Sequence, residues 1–170
     1  MFLKDYPLEK HLLCDSLSTY KNTQNVDAQK PSEQVYHLHI ISEGTTGYIQ
    51  PLDVFFFRQW KTFVKKISDH VVMEDLPTQL FQRNNILVLQ SLVHNQFSCH
   101  RYHPFIRQAW VRAGYIKLNE EFGNSINVCF KDISICSYDE CNNSAVIRCS
   151  WCVFELCCHH FFEKYHIHSV

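Results

Sequence analysis

The chain has 170 residues, 46% of them hydrophobic and 19% charged, so it should bury a core and is not a disordered tail. Four Gly and five Pro exclude a collagen-like or low-complexity chain, and no apolar run reaches the roughly 18 residues of a membrane span. The formal charge of −1 by itself predicts neither a nucleic-acid nor a membrane partner.

The first residues, Met1 to Pro7, lack the charged start and apolar stretch of a secretory signal. A reducing compartment is therefore expected, where clustered cysteines read as metal sites before disulfides. His11-Leu12-Leu13-Cys14 is an apolar run that predicts a buried strand ending at Asp15. Residues 16–34 are polar and fit a short helix or a loop. Val35 to Ile41 is β-branched and aromatic, which predicts a second strand. A crossover of roughly twenty residues between the two implies a parallel pair in an α/β sheet. Ser42 to Gly47 reads as a turn with two glycines.

From Leu52 to Val72 the period becomes helical. Phe56, Trp60, Phe63, Val64, Ile67 and Val71 fall on one face and read as core. Further helices fit Thr78 to Phe97 and Pro104 to Ala113, with Pro104 in a first turn and Gly114 as a stop. The near-zero net charge hides an asymmetry: residues 54–118 carry nine basic and three acidic side chains, a net +6, and the remainder nets −7. The basic stretch either faces phosphates or is the solvated face of the helices. Lys61, Lys65, Lys66, Arg107 and Arg112 are the candidate nucleic-acid contacts.

Asp15 ends one predicted strand and Asp53 opens the helix after the next. Paired carboxylates at a sheet edge hold divalent cations, which activate water for phosphodiester cleavage. Alternatively, Asp53 is an acid favoured by a helix dipole and Asp15 a turn residue.

The segment Gly44-Thr45-Thr46-Gly47-Tyr48-Ile49-Gln50-Pro51-Leu52-Asp53-Val54-Phe55-Phe56-Phe57-Arg58 resembles the signature of DDE-superfamily transposases of the pogo and jerky-like group. The resemblance implies that Asp53 is the final catalytic acid and Asp15, in Leu12-Leu13-Cys14-Asp15-Ser16, the middle one. It also implies Mg²⁺ or Mn²⁺ as catalytic cofactor, DNA as partner and the nucleus as location, with the cytoplasm as the alternative. A His that the family carries soon after its middle acid is missing from Ser16-Leu17-Ser18-Thr19-Tyr20. The family fold is RNase H-like, a mixed sheet with flanking helices and three acids. Its first acid has no counterpart, since Asp5 in Lys4-Asp5-Tyr6-Pro7 is not in a strand pattern. The expectation is an α/β fold with a truncated RNase H-like core, inactive alone. The segments expected are residues 1–72 for that core, 73–118 for a basic helical extension, 119–128 for a linker and 129–170 for a Cys/His module.

The tail reads Cys136-x4-Cys141-x7-Cys149-x2-Cys152-x4-Cys157-Cys158-His159-His160-x5-His166-x-His168. Thiolates and imidazoles suit tetrahedral Zn²⁺. An interleaved pair of sites is expected, with Cys136, Cys141, Cys157 and His160 on one ion and Cys149, Cys152, His166 and His168 on the other. The order is similar to B-box and related cross-brace modules. Cys158 or His159 replacing a neighbour, a single-zinc site, and a metal-free hairpin packed through Val153, Phe154, Leu156, Phe161 and Phe162 are the alternatives. His70, His94, His100 and His103 read as ordinary surface or core residues, and Cys129 falls outside the spacing. Three functions follow: a transposase remnant, a domesticated binding module whose zinc tail contacts protein or nucleic acid, or an unrelated zinc-stabilised protein.

Overall fold

A computed structural model describes residues 9–17, 35–117 and 125–169. Asp5, most of the polar 16–34 stretch and most of the 119–128 linker lie outside the described residues. Strands β1 (Glu9–Cys14) and β2 (Val35–Ile40) pair in parallel, with Leu12 opposite Leu38. The Ile41 N–H extends the ladder by donating to the Cys14 carbonyl at 2.8 Å. The first strand is expected to be buried, and from Leu12 to Cys14 it is only half-buried. Val35 and Ile40 are 54% and 40% exposed, because a two-stranded sheet leaves much of its surface open. Leu12 and Leu13 are half-buried and border an apolar hollow with Pro51, Leu52, Ile106 and Trp110.

After the turn, in which Gly44 takes a left-handed φ of 77°, comes the short helix α1 (Thr46–Ile49). A wide helical turn, Leu52–Phe56, runs directly into α2 (Phe57–Met73). The predicted stripe is the inward face: Phe63, Ile67 and Val71 are buried, and Phe56, Trp60 and Val64 pack beside them. The helix ends on paired bonds from Leu76 N to the Val71 carbonyl and from Asp75 N to the Val72 carbonyl, with Asp75 left-handed at φ 48°. Helix α3 (Arg83–Phe97) starts five residues later than its pattern suggests. Tertiary bonds hold the preceding chain out of the helix: Thr78 Oγ1 meets Glu163 Oε1 at 3.3 Å, and Asn85 Nδ2 donates to the Gln79 carbonyl at 2.9 Å. A tight turn, His100–Tyr102, leads to α4 (His103–Arg112). Pro104 sits in its first turn and Gly114, at φ 83°, closes it, both as expected.

In the tail, a 3-10 turn (Ser125–Cys129) buries Ile126 and Cys129. Strands β3 (Ile147–Arg148) and β4 (Glu155–Leu156) form an antiparallel hairpin. Among the described residues the strands thus make two separate two-stranded sheets, one parallel and one antiparallel, rather than one mixed sheet. Phe97 anchors the aromatic core. Its ring lies 5.2 Å from Phe56, 5.4 Å from Trp60, 5.2 Å from Phe63 and 4.7 Å from Tyr102, centroid to centroid. Such edge and offset contacts add to the burial of the rings themselves. The same core takes in Val146, Ile147, Leu156 and Phe161 from the tail, so the 129–170 segment packs against the helices. Val153 and Phe154, part of the alternative metal-free hairpin, are 44% and 49% exposed at the tip of the hairpin.

Candidate metal centre

The β3–β4 hairpin presents Cys149 and Cys152 on its connecting turn. The turn is held by the Cys149 N–H donating to the Phe154 carbonyl at 2.8 Å and the Val153 N–H to the Cys149 carbonyl at 3.0 Å. Cys157 follows β4, and a short turn (His159–Glu163) carries His160. His166 and His168 lie on the extended end beyond it. The Phe161 N–H bonds the Cys157 carbonyl and the His166 N–H bonds the Phe161 carbonyl, so the ligand spacing is built into the backbone.

These elements bring the eight predicted ligands into two groups, Cys136, Cys141, Cys157 and His160, and Cys149, Cys152, His166 and His168. Within each, one ligand atom per residue lies within 4.8 Å of all the others. In the first tetrad His160 Nδ1 is 3.2 Å from Cys136 Sγ and 3.3 Å from Cys157 Sγ, and Cys141 and Cys157 sulfurs are 3.9 Å apart. In the second, Cys149 Sγ is 3.4 Å from His168 Nε2, Cys152 Sγ 3.5 Å from His166 Nε2, and the two Nε2 atoms 3.0 Å apart. A zinc tetrahedron with Zn–S near 2.3 Å and Zn–N near 2.0 Å has edges of roughly 3.3–3.8 Å. The donor sets, Cys3His and Cys2His2, therefore fit zinc in both chemistry and size. Four protein ligands fill the tetrahedron and leave no open position, so the ion would brace the fold rather than react.

The titration behaviour agrees. Burial, then the neighbouring charges of His159 and Lys164, hold His160 below the usual histidine range. Burial and His168 do the same to His166. Both rings are therefore neutral and free to ligate. Burial works to raise the Cys136 thiol, but N–H donors from Tyr138 and Cys157 and the thiols of Cys141 and Cys157 outweigh it and bring it down. Burial pushes Cys152 and Cys157 up.

Cys158 and His159 stand outside the tetrads. Cys158 Sγ meets Thr78 Oγ1 at 3.6 Å, and His159 Nδ1 meets Glu163 Oε2 at 2.7 Å. Cys129 lies against the Tyr102 hydroxyl at 3.1 Å in the core, its thiol pushed up to about 11 chiefly by burial. His94, His100 and His103 are exposed and His70 half-buried, none of them in a tetrad.

The five candidate cations do not form one patch. Lys61 and Lys65 border a surface hollow with Asp53, Phe57, Arg58 and Thr62. Lys65 also pairs with Asp69 at 2.6 Å. Lys66 instead lies over the Phe130 ring at 5.4 Å. Arg107 and Arg112 are exposed on α4, roughly 140° apart around its axis. Arg58, not among the sequence candidates, completes the hollow through its i, i+3, i+7 spacing with Lys61 and Lys65.

Asp15 follows β1 and is half-buried, its Oδ1 accepting the Ser16 N–H at 2.6 Å. Asp53 is exposed in the first turn of Leu52–Phe56. Among the described residues neither joins a convergent group of three potential metal ligands. Three cations, Arg58, Lys61 and Lys65, line the hollow at Asp53.

Residues 110–168 match the Tc5 transposase C-terminal domain. The matched segment begins inside α4 at Trp110 and takes in all eight tetrad residues. The tail likened to B-box modules thus matches a transposase domain, in a segment that does not include residues 44–58. No curated protein and no solved structure matches the chain. No described helix is long and apolar enough to cross a membrane.

Three residues beside the tetrads are not among the sequence candidates. Tyr138 stacks on His160, and Asn95 and Gln96 reach the second tetrad from α3. The only hint was a polar pair where α3 calls for core residues, three and four positions after Leu92.

Proposed function

We propose that the chain is a DNA-binding part of a transposase-type protein, with a tail braced by two structural zinc ions. The observation that carries this reading is the closure of two complete tetrads inside the segment that matches the Tc5 transposase C-terminal domain. The Arg58, Lys61 and Lys65 hollow suits a backbone phosphate, a contact that positions nucleic acid without reading its sequence. Arg107 and Arg112 would add contacts from α4, and Lys66 would act only if it left Phe130. A DNA partner would call for a nuclear location, the cytoplasm being the alternative.

The first half is read as part of a DDE-type, RNase H-like core, supported by the parallel β1–β2 pair and by Asp15 following β1. Cleavage by such a core needs a third acid and Mg²⁺ or Mn²⁺. The polypeptide of this sequence is therefore expected to bind DNA without cutting it. The alternative, a tail that contacts protein, is favoured by the exposed Val153 and Phe154.

A binding isotherm on duplex DNA as a function of salt tests the reading. Affinity should fall as salt rises, and Lys61→Ala with Lys65→Ala should flatten the log–log slope by about 0.9 per lost phosphate contact. A salt-independent response removes the DNA reading. Mg²⁺-dependent nicking that Asp53→Ala abolishes would overturn the inactivity.

A further inference from the structure

Asn95 and Gln96 occupy an improbable place. They are consecutive polar residues near the end of α3, 9% and 0% exposed. Burying an amide is unfavourable unless its hydrogen bonds are made. Both are satisfied, and every partner of their side-chain amides outside α3 belongs to the arms of the second tetrad.

Gln96 holds the cysteine arm. Its Oε1 accepts the Ser150 N–H at 2.7 Å. The Ser150 hydroxyl lies 2.8 Å from Oε1 and 2.9 Å from the Gln96 carbonyl, and donates to one of them at a time. Its Nε2 donates to Cys149 Sγ at 3.6 Å. Asn95 holds the histidine arm. Its Nδ2 donates to the His168 carbonyl at 2.8 Å and its Oδ1 accepts the His168 N–H at 3.1 Å. The Asn95 carbonyl accepts Trp151 Nε1–H at 2.7 Å, and the Trp151 ring lies on His168 with centroids 5.9 Å apart. One helical turn thus fixes both halves of a site whose ligands lie more than fifty residues downstream.

The first tetrad has no such tie to α3. Tyr138 stacks on His160, and Asn143 Nδ2 approaches Cys157 Sγ at 3.9 Å, both from the tail itself. Asn95 and Gln96 also precede residue 110, where the transposase match begins.

We propose that Asn95 and Gln96 are positioning residues of the second metal site, which makes that ion a clamp between α3 and the tail. Partners of this kind orient ligands and tune the metal, and their loss typically costs about 10–100-fold in affinity. The Gln96 N–H also draws electron density from the Cys149 thiolate. The first ion would brace the tail alone. The proposal rests on the zinc reading of the tetrads.

The test uses the full chain loaded with zinc, and with cobalt(II) for spectroscopy. Wild type should hold two zinc ions. In Gln96→Met one of the two should pass to a chelator at least tenfold faster, the other at the wild-type rate. The sulfur-to-cobalt charge-transfer band should move to lower energy, because a thiolate without its N–H donor is the better electron donor. Asn95→Ala, at the less buried position, should also free one ion but leave that band in place, since it grips His168 and no sulfur. This split in the spectra is one that general loosening of the fold would not produce. Two zinc ions in wild type with unchanged release in both variants, or with both ions released together, would overturn the proposal while leaving the zinc reading intact. Fewer than two in wild type would end the zinc reading and this proposal with it.

Discussion

Tyr138 lies face to face on His160, with ring centroids 4.1 Å apart and planes 8° from parallel. The stack fixes the imidazole with Nδ1 toward Cys136 and Cys157. Tyr138→Ala should weaken the first site about tenfold or more, whereas Tyr138→Phe should preserve it. Zinc competition with a chromogenic chelator reads this directly, and equal affinity in the two variants would refute the role of the ring.

Zinc loading should release protons in a pH-dependent way. His160 and His166 sit below the usual histidine range, so at neutral pH they have few protons to lose. Cys152 and Cys157 are raised and must each give one up, while Cys136, already lowered, gives less. Release should therefore fall as pH rises through the thiol range. Apparent affinity should drop as pH falls, when protons compete for every ligand. Calorimetry in two buffers of different ionisation enthalpy measures the number, and a constant value across pH would contradict it.

Metal removal should reach the helices. Phe161, Leu156 and Ile147 share a core with Phe63 and Leu92, and Phe63 lies 4.7 Å from the Phe130 ring. An ion bound only by the folded state stabilises everything that unfolds with it. Chelation should lower the midpoint of the helical circular-dichroism signal. Phe63→Ala, a loss of about 3–5 kcal/mol, should in turn loosen both metal sites. A helical melt indifferent to chelator would show that tail and helices unfold separately.

Val153 stands at φ 67°, in the left-handed region that a β-branched side chain tolerates poorly. The turn between Cys149 and Cys152 forces it there through the Val153 N–H bond to the Cys149 carbonyl. Its side chain is 44% exposed, so little packing is lost on removal. Val153→Gly should stabilise the zinc-loaded chain by about 1 kcal/mol, seen as a higher Tm. A lower Tm would mean that the side chain contributes more than the strain costs.

Legibility in the sequence followed the range of the interaction involved. The tetrad membership could be read off because thiolates and imidazoles are chemically scarce and the C-x2-C step brings two sulfurs together locally. The α2 stripe, Pro104 at a helix start and Gly114 at a helix end are likewise short-range signals. The start of α3 was misplaced because Thr78 is held by Glu163, a residue 85 positions away. The exposure of Val35 and Ile40 was not legible, because a strand pattern says nothing about how many neighbours the sheet will have.

By itself, the sequence determined which side chains can bind metal, which helix face is apolar and where the charge is concentrated, since these depend on residue type and local period. Only the tertiary structure decided how the charge divides, with Arg58, Lys61 and Lys65 gathered at one hollow and Lys66 turned to Phe130. It alone decided that a cysteine-rich tail expected as a module would share its core with the helices. And it alone explained a buried Gln and Asn in α3, because the groups that make an amide worth burying come from a hairpin brought back over more than fifty residues of chain.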